Sequence, residues 1–211
     1  MNSKTTLYLV RHGQTEWNVL HKMQGHQDSS LTALGIKQAQ WLSDALKDMQ
    51  IEVICSSTSL RARNTAEIIR RDRKVEIEEC DEFREINLGV WEGKTQSEAK
   101  EDYPEAFDQF WNRPDNFLVE GSETFNEVLT RAHSKLKQIM TSNQGKSILL
   151  VTHTVVVKVL MAYFEGRPMN EIWNPPYIHP ACLCKVEIDP SGVNIILHGD
   201  TSHYQEKPSM D

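Results

Sequence analysis

The sequence predicts an α/β fold, a three-layer sandwich whose mostly parallel central sheet is flanked by helices. Two observations lead to this class. Short apolar segments rich in β-branched residues alternate along the chain with segments whose apolar residues recur at helical spacing. In addition, the segment "SILLVT" (147–152) is apolar nearly throughout, which is typical of a strand buried on both faces inside a parallel sheet.

The individual elements follow from local patterns. Strands are expected at residues 6–10, 53–57, 75–79 and 147–152, with a C-terminal hairpin formed by 181–189 and 193–199 around "PSG". Helices are expected from a capping Thr32 to about Met49, at 59–71, from Ser122 onward, and at 154–164. Residues 81–95 are loop-like because Gly89 and Gly93 punctuate them.

The stretch from Thr95 to about Trp111 is charged and helical, and Pro104 breaks it. We expect residues of about 95–120 to be a helical insertion that covers the functional site. No internal repeat, low-complexity tract or linker divides the chain, so we expect a single domain over residues 1–211.

Composition excludes several classes of protein. The chain has 211 residues and a formal net charge of −7, which disfavours a general nucleic-acid or anionic-membrane surface. We find no leader-like N-terminal segment and no apolar run long enough to span a membrane. With four cysteines that we expect to be reduced thiols, the sequence predicts a cytoplasmic protein with no nucleic-acid or membrane partner. The oligomeric state stays open.

Polar side chains follow the predicted strands at the point where each strand ends. Arg11 and His12 come directly after "LYLV", Arg61 follows "VICSS", and His153 follows "SILLVT". Glu85 lies in the loop after the strand at 75–79. The carboxyl ends of parallel strands meet at one edge of a sheet, where ligands of open α/β sheets bind, so we expect these side chains to converge there.

An arginine next to a histidine is favourable when both face an anion, because the anion relieves their mutual repulsion. The planar guanidinium of arginine suits a phosphate group, with two parallel hydrogen bonds. A histidine that is unprotonated at one ring nitrogen, within reach of a phosphorus atom, is a competent nucleophile. The residues alone therefore indicate a phosphate site.

Several separated segments resemble the histidine phosphatase superfamily, also called the phosphoglycerate mutase-like family. They are "LVRHGQTEWN", "SSTSLRARNTA", "FREINLGVWEG" and "LLVTH", with weaker agreement in "QGHQDSSLTALG" and "GDTSHY". The resemblance covers residues 5–204, and the segments stand in the family's order, which makes it far more specific than an Arg-His-Gly triplet alone.

The resemblance implies a metal-independent phosphomonoesterase that works through a phosphohistidine and needs no cofactor. His12 would be the nucleophile, Glu85 the proton donor and acceptor, and Arg11, Arg61 and His153 the groups that hold the phosphoryl oxygens. By the same analogy Asn18 contacts the phosphoryl group and Gln24 lines the pocket. Thr154 stands where the family usually has glycine; its N–H can still donate to an oxyanion, while its side chain narrows the pocket.

Other residues have competing interpretations. Glu82 and Glu92 compete with Glu85 for the proton role, although the segment's register favours Glu85. Arg63 is interpreted as a surface residue because it lies two positions from Arg61 on the same helix. Cys182 and Cys184 near His179 form a minor metal hypothesis, disfavoured because no fourth ligand follows. A group of aromatic residues is either a substrate wall or ordinary packing: Trp91, Phe107, Trp111 and Trp173.

Three functions are compared. A phosphatase of broad specificity for small phosphomonoesters is favoured. A phosphoglycerate mutase is second, because "REINLGVWEG" is short and lacks the basic residues that would hold a second phosphate. An α-ribazole phosphatase is a narrower form of the first function. A non-catalytic phosphoprotein-binding relative comes last, because the core residues of the family are all present.

Overall fold

Six strands form one sheet in the computed structural model, which describes residues 4–206. Residues 1–3 and 207–211, which the single-domain prediction includes, lie outside the described part. The strands are β1 (Thr5–Arg11), β2 (Val53–Ser57), β3 (Ile77–Cys80), β4 (Ser147–Thr152), β5 (Leu183–Asp189) and β6 (Gly192–Asp200). The helices are α1 (Glu16–Val19), α2 (Ala33–Ala45), α3 (Leu60–Arg70), α4 (Gln96–Asp102), α5 (Pro104–Asn112), α6 (Phe125–Ser142) and α7 (Thr154–Glu165).

The sheet is mostly parallel, as predicted. Its strand order is β3-β2-β4-β1-β5-β6. The first four of these strands are parallel, whereas β5 pairs antiparallel with β1 and with β6 as the predicted hairpin. The parallel strands therefore all end at one edge of the sheet.

Helices cover both faces, which confirms the three-layer sandwich. Side chains alternate along β1, so that Leu7 and Leu9 pack into one buried cluster with α6 and α7. Tyr8 and Val10 point the other way, into a second cluster with α2 and α3. Because both faces are covered, β1 and β4 are buried along almost their whole length, which accounts for their continuous apolar sequences.

Several predicted boundaries are wrong by a few residues. The first strand of the hairpin begins at Leu183 and not at residue 181. The third strand was placed at 75–79 from its alternation, but its pairing with β2 aligns Ile54 with Ile77, and it runs over Ile77–Cys80. Helix α6 begins after Thr124 and not at Ser122, because Thr124 forms a reciprocal capping box with Glu127. Helix α2 begins after Thr32 as predicted but ends at Ala45, short of Met49.

The segment of about 95–120 folds as α4, α5 and a short 3₁₀ turn at Pro114–Asn116. Pro104 is the first residue of α5, where its missing N–H has no intrahelical partner to lose, so it separates the two helices. None of the helices within residues 4–206 is long and apolar enough to cross a bilayer.

Candidate active site

The two predicted site histidines meet because their strands are neighbours in register. Arg11 at the end of β1 pairs with Thr152 at the end of β4. The next residue in each strand is a histidine, and the His12 N–H donates to the Thr152 carbonyl oxygen at 2.9 Å. The rings of His12 and His153 pack edge to face with centroids 5.2 Å apart. Sheet register therefore produces the cluster that the sequence predicted at this edge.

One ring nitrogen of His12 is committed to the backbone. Its Nδ1 lies 2.7 Å from the Gly13 carbonyl oxygen. A carbonyl only accepts, so Nδ1 carries the proton and a neutral His12 has its lone pair on Nε2. Burial, followed by the charges of Arg61 and Arg11, holds the pKa of His12 well below its usual 6.5. His12 is thus neutral near pH 7 in the tautomer that a nucleophile requires.

Gly13 lets the loop after β1 approach helix α2 very closely. A Cβ at this position would lie 2.4 Å from the Gly35 carbonyl oxygen, far inside van der Waals contact. The Gly13 N–H donates to the Thr65 hydroxyl at 3.1 Å, and that hydroxyl donates to the Arg61 carbonyl oxygen at 2.7 Å. Thr65 therefore joins the loop that follows His12 to the helix that carries Arg61.

The guanidinium groups of Arg11 and Arg61 are buried, and hydrogen bonds from their Nη atoms hold them in place. Arg11 Nη1 donates to the Ile178 carbonyl oxygen at 2.7 Å. Arg61 donates to the carbonyl oxygens of Gly25 and Gln27 at 2.9 and 2.7 Å, and its Nη1 pairs with Asp28 at 2.8 Å. The Nε atoms of both arginines are buried and have no hydrogen-bond partner within residues 4–206. Two oriented cationic donors are left for an anion.

His153 is fully buried and packs against His12, which lines the cavity. Its Nε2 shares a 2.8 Å hydrogen bond with the Ser57 hydroxyl, while its buried Nδ1 has no partner in the described residues. Burial, then the charges of Arg61 and His12, keeps the pKa of His153 well below 6.5. When Ser57 donates to Nε2, the neutral ring presents an N–H at Nδ1; its predicted contact with a phosphoryl oxygen stays a prediction.

The Glu85 carboxylate oxygens rest on backbone donors. The Ile86 N–H donates to Oε1 at 3.0 Å, and the Val155 N–H at the start of α7 lies 3.2 and 3.3 Å from the two oxygens. Burial raises the pKa of Glu85 and outweighs these hydrogen bonds and the charges of Arg61 and Arg11. A proton donor needs such a raised pKa, and burial of the Glu85 carboxyl supplies it.

These side chains border one cavity of about 960 Å³. Seven of the eight predicted site residues line it: Arg11, His12, Asn18, Gln24, Arg61, Glu85 and Thr154. The eighth, His153, is not part of the lining. Asn18 Oδ1 is occupied by the Thr15 N–H at 3.0 Å, so its amide nitrogen is the group it can offer to a ligand. Gln24 donates to the Thr15 hydroxyl at 2.8 Å. Thr154, the first residue of α7, is also on the wall.

The helical insertion contributes Gln96, Phe110 and Trp111 to the cavity lining, as its predicted covering role requires. The four aromatic residues of the sequence analysis fall into two pairs, one that lines the cavity and one that packs in the core. Trp111 and Trp173 line the cavity, with ring centroids 4.8 Å apart. Trp91 is fully buried in the core, and Phe107 packs against it at 6.0 Å, so the substrate-wall hypothesis is wrong for these two.

The competing residues lie outside the lining. Arg63 is at the surface as predicted, where it pairs with Glu79 at 3.4 Å. Glu82 is exposed, and Glu92 accepts from the His26 N–H at 2.7 Å. Within residues 4–206, no group of three His, Cys, Asp or Glu side chains is placed to hold a metal ion, so Cys182 and Cys184 form no such cluster with a neighbour.

Sequence reasoning missed the residues that hold the others in place. Ser57 and Thr65 stand at the second and tenth positions of "SSTSLRARNT", so the segment itself carried that signal. Asp28 also accepts from the Leu60 N–H at 2.6 Å and so caps α3, although only its acidity was visible in the sequence. Arg131 on α6 contacts the loop that carries Glu85, and nothing in its sequence neighbourhood indicated this.

Comparison with known proteins agrees with this geometry. The family model of the histidine phosphatase superfamily (branch 1) matches residues 7–201. The chain is 30% identical over 168 residues to phosphoserine phosphatase 1 of Hydrogenobacter thermophilus, covering 80% of each protein. It is 35% identical over 162 residues to "Probable phosphoglycerate mutase GpmB" of Escherichia fergusonii, covering 77% of this chain and 75% of that protein.

Among solved structures, YhfR of Bacillus stearothermophilus superimposes with a TM-score of 0.92 at 42% identity. The match covers 94% of this chain and 98% of that one. The family model and this structural match both extend over most of the chain.

Proposed function

Because the chain belongs to the histidine phosphatase superfamily, we propose that it hydrolyses small phosphomonoesters through a phosphohistidine on His12. One observation carries the proposal: a neutral His12 with its lone pair on Nε2 shares a cavity with two buried guanidinium groups whose Nε atoms have no partner in the described residues. A phosphoryl group bound to Arg11 and Arg61 would lie next to that lone pair.

In the first step, His12 Nε2 attacks phosphorus in line and forms the N–P bond while the ester P–O bond breaks. The leaving alkoxide takes the proton of Glu85, whose raised pKa keeps the acid protonated to higher pH than an ordinary glutamate. Arg11 and Arg61 neutralise the charge on the phosphoryl oxygens. In this proposal the positive charge comes from arginine, so no metal is needed.

In the second step, water attacks the phosphorus of the phosphohistidine. Glu85, now a carboxylate, takes a proton from that water, the N–P bond breaks, and inorganic phosphate leaves. Glu85 is then protonated again and His12 is neutral again. The two residues return to their starting states without any other reactant.

The cavity supports broad specificity. Arg11 and Arg61 form its charged end, and they recognise only the phosphate group and not the rest of the substrate. Much of the remaining wall is apolar or aromatic and can contact varied leaving groups through shape and dispersion, as Leu34, Trp41, Phe110, Trp111, Trp173 and Tyr177 illustrate. The partner is accordingly a small phosphorylated molecule, in keeping with a relative named for phosphoserine.

A mutase is the second candidate, because several relatives carry that name. A mutase must hold a second anionic group while the first is transferred. Among the cations of the lining, Lys158 is committed to the carbonyl oxygens of Asn174 and Pro176 at 2.7 and 2.9 Å. His21 and Lys22 lie at the cavity too, so the choice rests on a measurement of products.

The test follows 3-phosphoglycerate by phosphorus NMR, with and without a bisphosphoglycerate, alongside a panel of other phosphomonoesters. Release of inorganic phosphate from several substrates, without 2-phosphoglycerate, is the expected result. Fast interconversion of the two phosphoglycerates would contradict the phosphatase proposal and support the mutase.

A further inference from the structure

Arg131 on helix α6 lies outside the cavity lining and donates hydrogen bonds to the backbone of the loop that carries Glu85. Its Nη1 donates to the carbonyl oxygens of Glu82 and Arg84, each at 2.7 Å. Its Nη2 donates to the carbonyl oxygen of Glu85 itself at 3.0 Å. One guanidinium thus fixes three backbone groups within four residues of the loop.

Glu123 completes the contact. Its carboxylate pairs with Arg131 through two short hydrogen bonds, Nε to Oε1 at 2.7 Å and Nη2 to Oε2 at 2.9 Å. The same carboxylate accepts from the Asn87 N–H at 2.8 Å, and the Glu123 N–H donates to the Asn87 carbonyl oxygen at 2.9 Å. The Arg131–Glu123 pair therefore holds residues 82–87 at both ends, and both side chains are largely buried.

This loop needs such support because strand pairing ends before it. The Thr152 hydroxyl at the end of β4 donates to the Phe83 carbonyl oxygen at 2.7 Å, two residues before Glu85. Glu85 follows a 3₁₀ turn at Asp81–Phe83 and precedes another at Gly89–Trp91, with no ladder of strand hydrogen bonds between them. Within residues 4–206, the hydrogen bonds to its carboxylate come from backbone N–H groups, at 3.0–3.3 Å. The backbone at residue 85 consequently decides how far the carboxyl reaches toward a leaving-group oxygen.

We propose that Arg131, oriented by Glu123, is the positioning residue for the proton donor Glu85. This inference rests on the proposed function. A positioning role differs from a purely structural role in its effect on the two parts of the reaction. Loss of Arg131 should weaken protonation of the leaving group more than attack by His12, because His12 is held by a different element, strand β1. A displacement of about 1 Å is enough to cost such a step roughly 10–100-fold.

The experiment compares Arg131→Met and Arg131→Lys with the wild type on an alkyl phosphate and on p-nitrophenyl phosphate, whose leaving group needs little protonation. For Arg131→Met we expect kcat/KM on the alkyl substrate to fall roughly 10–100-fold, with a much smaller loss of kcat/KM on the aryl substrate. The comparison uses kcat/KM because that ratio excludes hydrolysis of the phosphohistidine, a step that both substrates share and that also uses Glu85. Arg131→Lys keeps the charge but not the fork, and should give an intermediate loss with the same substrate bias. It also serves as the test variant if Arg131→Met does not fold.

Arg73→Met is the matched control. The Arg73 guanidinium also donates to three backbone carbonyl oxygens, those of Ile69, Arg70 and Leu46, far from the cavity. Its loss should change both substrates equally. In a Glu85→Gln background, Arg131→Met should cause no further loss on the alkyl substrate, because the group it positions is already disabled.

Equal losses on both substrates, or an undiminished further loss in the Glu85→Gln background, would overturn the positioning role. Failure of the proposed function is recognised separately: Glu85→Gln alone would then show no difference between alkyl and aryl substrates.

Discussion

His12 and Glu85 reach the same cavity from two regions of different construction. His12 follows the buried strand β1, and backbone bonds to β4 and to Gly13 fix it in place. Glu85 lies in a loop between two 3₁₀ turns, and a helix side chain, Arg131, holds that loop through its carbonyl oxygens. The comparison teaches that the sheet positions His12, the proposed nucleophile, whereas long-range side-chain contacts support Glu85, the proposed proton donor.

The largest expected effect comes from removing His12, the proposed nucleophile. His12→Ala removes the group that forms the N–P bond, so activity should fall roughly 10⁴–10⁶-fold on alkyl and aryl phosphates alike. Steady-state assays on both substrates measure it, with His133→Ala, an imidazole on α6 outside the cavity lining, as the control. Retention of normal turnover would remove His12 from the reaction.

A smaller and substrate-dependent effect is expected on the acid side. Glu85→Gln keeps the shape of the side chain but has no proton to give, and should cost about 10²–10⁴-fold on an alkyl phosphate. The loss on p-nitrophenyl phosphate should be smaller. The exposed Glu82, changed to Gln, is the control and should lose little. Both Glu85→Gln losses are measured as kcat/KM, which excludes the shared hydrolysis of the phosphohistidine. Equal Glu85→Gln losses of kcat/KM on both substrates would exclude the acid role.

The two regions should also give separate limbs in the pH profile of kcat/KM, after correction for substrate ionisation. As the pH falls through the lowered pKa of His12, its lone pair is protonated, so the acid limb should lie below pH 6.5. As the pH rises through the raised pKa of Glu85, the donor proton is lost. Each limb should approach tenfold per pH unit. In Glu85→Gln only the acid limb should remain; a persisting alkaline limb would assign it elsewhere.

No change is expected on removal of divalent metal. The positive charge next to the phosphoryl group comes from Arg11 and Arg61 in the proposed reaction. Activity after exhaustive chelation and after re-addition of zinc or magnesium should equal the untreated value. A requirement for either ion would contradict the mechanism on both sides of the cavity.

The same contrast separates what the sequence could and could not predict. Strand ends are local: continuous apolar runs place β1, β2 and β4, and their parallel alignment brings Arg11, His12 and His153 to one edge. The resemblance then singled out Glu85. The grip of Arg131 on residues 82–85 joins positions 46–49 apart in sequence, and no periodicity signals it. The burial that raises the pKa of Glu85 likewise depends on tertiary packing.

Boundary errors have a similar origin. The alternation at 75–79 indicated a strand but not its register, which the pairing of Ile54 with Ile77 sets. The aromatic residues gave no local sign of which would be fully buried, as Trp91 is, and which would face the cavity, as Trp111 does. In each case the missing information is a contact between distant segments.

Rapid-quench trapping of the enzyme with a ³²P-labelled phosphomonoester tests the central claim most directly. The account predicts an acid-labile, base-stable phosphoryl adduct that forms within one turnover, maps to His12 by peptide analysis, and decays with release of inorganic phosphate. An adduct on another residue, or burst-free turnover with no adduct at any quench time, would contradict it.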